Sequence, residues 1–315
     1  VANGRMSLAQ GHTALRQLDA DPGLRGKVKE VLSYSLGAAG VAGLWKLPWL
    51  DIATAGAIGL LIGLLGRWTG QRAATKEASE ALAALLAGLV ATLVATYVGA
   101  LNLNTVVIAS LVILLPGMSL TNAVNELASQ HWVSGTARVA GALTTIMKLT
   151  VGAMIAVTLA DVIGLDPVVR ASRPQGAWVE WSALLIAAVA FAMLFKASRR
   201  DFPWVLAACV AGYAISKFAG HAWGAPAGIF LSAMLLTAAG NLFGRLVQRP
   251  GAIIRLPGII MMVPGSTSLR GVLTLVQQQD VGAGQGVFLT VLNVVMALVA
   301  GLLFGNLLIP ARKTL

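Results

Sequence analysis

The chain has 315 residues, of which 57% are hydrophobic and only 11% charged, and its mean hydropathy is +0.80. A water-soluble domain carries roughly 25% charged residues, so this composition excludes one and defines an integral membrane protein. The net charge of +11 comes with no nucleic-acid-binding motif and no basic stripe interleaved with aromatics, which excludes nucleic acid as the partner it would otherwise suggest.

Residues 1–30 are polar and lack the basic, apolar and small-residue order of a signal peptide, so they read as a cytosolic arm, either complete or truncated. Beyond them, apolar windows and their punctuation predict ten helices: 31–47, 50–67, 81–101, 104–124, 137–160, 177–195, 203–220, 224–246, 252–272 and 284–309. Lys46, Pro48 and Asp51 divide the first two. No two-residue alternation of a barrel is present, so the fold class is all-α, a polytopic membrane protein. Lys and Arg concentrate in cytoplasmic loops. With the N-terminus inside, 17 of the 23 fall on that side, five (Lys46, Arg170, Arg173, Lys217 and Arg270) on the other, and Lys148 within a helix. Both termini are therefore expected in the cytoplasm. Trp45, Trp49, Trp68, Trp178, Trp181, Trp204 and Trp223 fall near span ends, as an interfacial belt requires.

Two similar proline-broken segments, Leu114 to Val124 (LLPGMSLTNAV) and Met261 to Val272 (MMVPGSTSLRGV), place Pro116 and Pro264 148 positions apart. The same offset carries predicted spans of the first half onto spans of the second. Five helices per half is an odd number, so the second half enters the membrane with opposite polarity. The expected architecture is a 5+5 inverted repeat, with a first five-helix unit at 31–165 and a second at 177–310, suited to alternating access around a midplane site.

A Pro inside a span removes a backbone donor and frees carbonyls, which in lipid need partners. Matched breaks followed by small polar residues nominate Pro116, Gly117, Ser119, Thr121, Asn122 and Asn125 in the first half and Pro264, Gly265, Ser266, Thr267 and Ser268 in the second as substrate-binding. Half-helix dipoles there suit both ends of a zwitterionic amino acid. The structural alternative is a pair of kinks that let helices pack closely. Lys148 either faces a cavity, as a substrate-binding or titrating amine, or snorkels to an interface. Every carboxylate sits at a span end or in a loop. Glu126, the nearest to a break, is a coupling candidate whose alternative is a solvated loop charge. Arg270 is a second, its alternative a contact with lipid phosphate. Cys209, the single cysteine, reads as packing. His12, His131 and His221 are isolated, so no metal is assigned. No nucleotide loop or hydrolytic elbow is present, so neither a cofactor nor an enzyme activity is expected.

These motifs resemble the threonine/serine exporter family. The first half is similar to its main membrane domain through Leu115, Pro116, Gly117, Leu120 and Asn122, then Ser134, Gly135 and Arg138. The second is similar to its smaller companion domain through Val263, Pro264, Gly265 and Ser266. The likeness runs from about Ala14 to the C-terminus. It implies export of threonine and serine across the inner membrane driven by protons, and ten spans in fused members. It supplies no catalytic residues. A non-transporting membrane scaffold or assembly subunit is the alternative, and the oligomeric state is left open.

Overall fold

The computed structural model describes residues 23–70, 73–170, 174–262 and 281–310, together with Ser7, Gln10, His12, Thr13, Leu269 and Leu273. Every regular element among them is helical. Helix α1 (Gly23–Leu44) ends at Lys46, whose φ of 56° is left-handed. The N–H groups of Lys46 and Leu47 bond back to the carbonyls of Gly43 and Ala42, the paired bonds of a Schellman stop. Pro48 cannot continue a helix and stands immediately before α2 (Trp49–Thr69), so the expected split of the first two helices is present. After a single turn at Ala73–Lys76 come α3 (Ser79–Tyr97), α4 (Leu103–Ser110), α5 (Gly117–Ala128) and α6 (Trp132–Ile163). The rest of the chain forms α7 (Ala177–Leu194), α8 (Phe202–Trp223), α9 (Ala225–Leu246), α10 (Ala252–Ile260) and α11 (Val281–Leu308).

Among the described residues, seven helices are long and apolar enough to cross a membrane: α2, α3, α6, α7, α8, α9 and the Leu289–Leu308 part of α11. The bent pair α4 and α5 brings the number to eight if counted as one span. The sequence predicts ten, and the difference has two sources. The first turns of α1 carry Arg25, Lys27, Lys29 and Glu30, and the described helix within 252–272 is only the nine-residue α10.

α1 runs from an N-terminal face, marked by Lys29 and Glu30, to an opposite face marked by Lys46, and α2 returns. Trp49 and Trp178 lie 5.6 Å apart on the Lys46 face, while Trp68 and Trp204 mark the N-terminal face, all of them exposed. A helix of 21 residues such as α2 is about 30 Å long, the thickness of the hydrocarbon layer.

Small residues set the packing, as they do where lipid supplies no hydrophobic drive between helices. α1 and α7 cross antiparallel. A Cβ on Gly40 would come within 2.9 Å of the Ala187 backbone, and one on Gly43 within 2.6 Å of the Ala183 Cβ. α3 and α6 run parallel, with Gly152 seated on the Ala81 carbonyl and the Ala84 Cβ. The same contact recurs 149 positions on, Gly301 of α11 seating on the Phe230 carbonyl and the Ala233 Cβ of α9. Gly152→Ala would drive a methyl to 2.1 Å from the Ala81 oxygen. Overpacking of that kind costs roughly 1–3 kcal/mol, so a melting temperature lowered by several degrees is expected in detergent. Gly141→Ala, on the same helix but with nothing within 4 Å, is the control expected to leave it unchanged.

The two halves also exchange side chains. Leu269 and Leu273 are buried in the first half's core beside Val106, Leu111 and Leu149, while Met118 packs on the second half's cluster of Ala208, Ile229 and Leu236.

Candidate functional site

The break between α4 and α5 follows from its residues. After α4 a 3-10 turn at Val112–Leu114 tightens the chain, and Leu115 is extended (φ −66°, ψ 132°), the conformation forced on a residue that precedes proline. The segment Val112–Leu127, which contains Pro116, is bent by 53° from Leu103–Ser110. α5 restarts at Gly117 with no side chain capping it. The first N–H groups of α5 thus have no intrahelical acceptor, and the positive end of the helix dipole lies with them.

Beside this start lies a cavity of about 320 Å³. Its walls come from both halves: Trp45, Ile113, Gly117 and Met118 from the first, Tyr213 and Met261 from the second. Pro116 and Gly117 are buried, and Gly117 reaches the wall. Thr121 is buried and spends its hydroxyl on the Gly117 carbonyl at 3.1 Å, within its own helix. Ser119, Asn122 and Asn125 are half-buried on α5, and none of them lines the cavity. Pro264, Gly265, Ser266, Thr267, Ser268 and Arg270 lie outside the described residues, and Ile260 and Met261 just before them line the same cavity as Gly117.

Lys148 stands 3.6 Å from Glu80 at the start of α3, more than a third exposed, and does not line this cavity. Glu126 accepts a 2.6 Å hydrogen bond from Arg138 Nε, which joins α5 to α6 within the first half. Its Oε2 is buried without a hydrogen-bond partner among the described residues.

Two buried carboxylates at span ends organise the Lys46 face, a role their position in the sequence does not announce. Asp51, fully buried, accepts from the Asn102 N–H and from Arg170, each at 3.3 Å, tying α2 to the segments before α4 and after α6. Glu180, near the start of α7, is 2% exposed. Its carboxylate accepts from Tyr213 Oη at 2.6 Å and from Lys217 of α8, and Lys46 Nζ of the first half lies 2.9 Å from its second oxygen. Lys217 also sits 5.5 Å over the Trp181 ring. Trp45 and Tyr213 are cavity wall, so this cluster lies directly behind the wall on the Lys46 face. The legible signal was its company, a Glu between Trp178 and Trp181 at a span start, where a charge has little water to face.

Towards the N-terminal face the central cavity adjoins a second one of about 730 Å³, with Leu194 common to both. Lys29, Glu30, Lys196 and Arg199 line it. Outside the spans, Asp201 accepts from Ser198 Oγ at 2.6 Å and pairs with Arg249. The Ser198 hydrogen bond, with the Arg249 guanidinium, holds its carboxyl below the usual carboxylate range against the opposing effect of burial.

Apolar helices of spanning length and tryptophans at both ends define a multi-pass helical membrane protein, with a cavity walled by both of its halves. Two family models match it, one describing the threonine/serine exporter over residues 1–160 and one described as Threonine/Serine exporter, ThrE, over 180–308. The chain belongs to the threonine/serine exporter family in its two-domain form. No curated protein and no solved structure matches it.

Proposed function

We propose that the chain exports threonine and serine across the inner membrane by alternating access, proton-driven, with both termini in the cytoplasm. One observation carries this reading: a cavity of about 320 Å³ lies where the interrupted α4–α5 element meets α1, α7, α8 and the end of α10. Its size falls at the lower end of the roughly 300–1,000 Å³ typical of small-molecule sites, as a small amino acid requires. The uncapped start of α5 suits the substrate carboxylate, which accepts from the Gly117 and Met118 N–H groups. In this reading the ammonium and side-chain hydroxyl are assigned to the segment Pro264 to Ser268, on the strength of its three hydroxyl residues in sequence.

The architecture in this reading is a 5+5 inverted repeat, 31–165 and 177–310, with the polar residues 1–30 as a cytosolic arm. Three contacts support it: the antiparallel crossing of α1 and α7, the Gly152 seat repeated at Gly301, and the exchange of Met118 against Leu269 and Leu273. The reading is tested by reconstituting the full chain in proteoliposomes and following labelled L-threonine and L-serine under an imposed pH gradient. Saturable flux of both, faster with the gradient, is the expected result. Absence of flux removes the exporter reading, and flux indifferent to the gradient removes proton drive.

A further inference from the structure

The Glu180 cluster has a counterpart on the other face of the molecule, 150 positions earlier in the chain. Glu180 of α7 pairs with Lys217 of α8, and Glu30 of α1 pairs with Arg67 of α2 at 3.5 Å. The third partner is matched as well. Lys46 ends α1 and Lys196 ends α7, each in the left-handed conformation, at φ 56° and 51°. Lys196 and Ala197 donate to Met193 and Ala192 as Lys46 and Leu47 donate to Gly43 and Ala42, so both helices stop on the same Schellman pattern. Glycine is the residue that adopts this conformation without strain, yet both sites carry the one side chain long enough to bring an ammonium group across to the other half.

The two clusters differ in one contact. On the Lys46 face, Lys46 of the first half lies 2.9 Å from Glu180 of the second, and Trp45 and Tyr213 beside this pair are cavity wall. On the N-terminal face, no ion pair joins Lys196 to Glu30 among the described residues, and both line the 730 Å³ cavity that leads to Leu194. Each carboxylate is thus held by a cation of its own half, Arg67 or Lys217, while its link to the other half is present on one face and absent on the other.

We propose that Glu180 with Lys46 and Glu30 with Lys196 are the two gates of the transport cycle, made alternately, and that this conformation has the first closed and the second open. The proposal rests on the alternating-access reading above. When the halves rock about the α1–α7 crossing, Lys46 leaves Glu180 as Lys196 reaches Glu30. Each carboxylate keeps its Arg67 or Lys217 partner throughout, so no buried charge is left bare in either state.

The test uses Leu44→Cys on the cavity wall as the reactive thiol, since the single native cysteine, Cys209, is fully buried. A membrane-impermeant maleimide is applied to each side of the membrane in turn, in intact cells and in inverted vesicles. At rest the thiol of the otherwise native chain reacts from one side only. Glu180→Gln, which keeps the shape and drops the charge, is expected to raise labelling from the second side roughly tenfold by shifting the population of states. Lys196→Gln changes an exposed side chain and leaves resting labelling one-sided. It removes the second-side labelling that threonine turnover brings about in the native chain.

Resting labelling unchanged in Glu180→Gln, or second-side labelling during threonine turnover unchanged in Lys196→Gln, overturns the gates. Threonine flux with unaltered labelling in both variants removes the gates and leaves the exporter reading standing. An opened second side in Glu180→Gln, in a chain that moves no threonine, removes the exporter reading and keeps the gate.

Discussion

Gly117→Val is expected to lower threonine efflux by about a hundredfold, the cost that a displacement of about 1 Å at a binding site can reach. Gly117 is buried, is the first residue of α5 and lines the cavity. In the proposed mode of binding, a branched Cβ there occupies space the substrate needs and stands over the N–H groups assigned to its carboxylate. Because valine is stiff at χ1, it cannot swing aside to restore them. Gly117→Ala, adding a single methyl, is expected to give an intermediate loss. The measurement is initial efflux of labelled threonine from proteoliposomes holding equal amounts of folded protein. Native rates in the valine variant would show that the cavity at the α4–α5 break does not carry substrate.

Exchanging two residues across the α1–α7 crossing gives the second large effect. Gly43→Ala places a methyl where a Cβ would lie 2.6 Å from the Cβ of Ala183, so the two helices must separate. The other neighbours of that Cβ, the Ala183 Cα and Ile52 Cδ1, stand at 3.8 and 3.9 Å, which is ordinary contact. The misfit is thus one methyl against one methyl. The single variant is expected to lose roughly 1–3 kcal/mol of stability and most of its flux, since the crossing joins the two halves. Ala183→Gly added to it removes the opposing methyl and is expected to restore both, with a coupling energy well above the roughly 0.5 kcal/mol scatter of independent sites. The readouts are the melting temperature in detergent and threonine flux. A double variant as poor as the single one would place the damage outside this contact.

The interruption at Pro116 was legible because proline's effect is local: it lacks an N–H, and it forces the residue before it to be extended wherever it stands. The same holds for the stop between α1 and α2 at Lys46 and Pro48. The number of spans was less legible. A window of apolar residues does not register that α1 begins on Arg25, Lys27, Lys29 and Glu30, and the described helix of 252–272 stops at Ile260. Of the polar residues after Pro116, spacing alone could not sort Gly117, on the cavity wall, from Thr121, whose hydroxyl returns to its own helix. Lys148 looked isolated because its partner Glu80 is 68 positions earlier in the chain, at the start of a helix parallel to its own.

Composition and local chemistry alone determined that the chain lives in lipid as helices, that one helix breaks at a proline, and, with the paired motifs, to which family it belongs. Those properties rest on transfer free energy and backbone sterics, which act residue by residue. The tertiary structure decided which charges are buried and against what. Glu180 meets Lys46 only because α1 and α7 cross antiparallel at contacting Gly and Ala, and the distance between two halves of a chain is a property of their packing, which no local pattern of residues records.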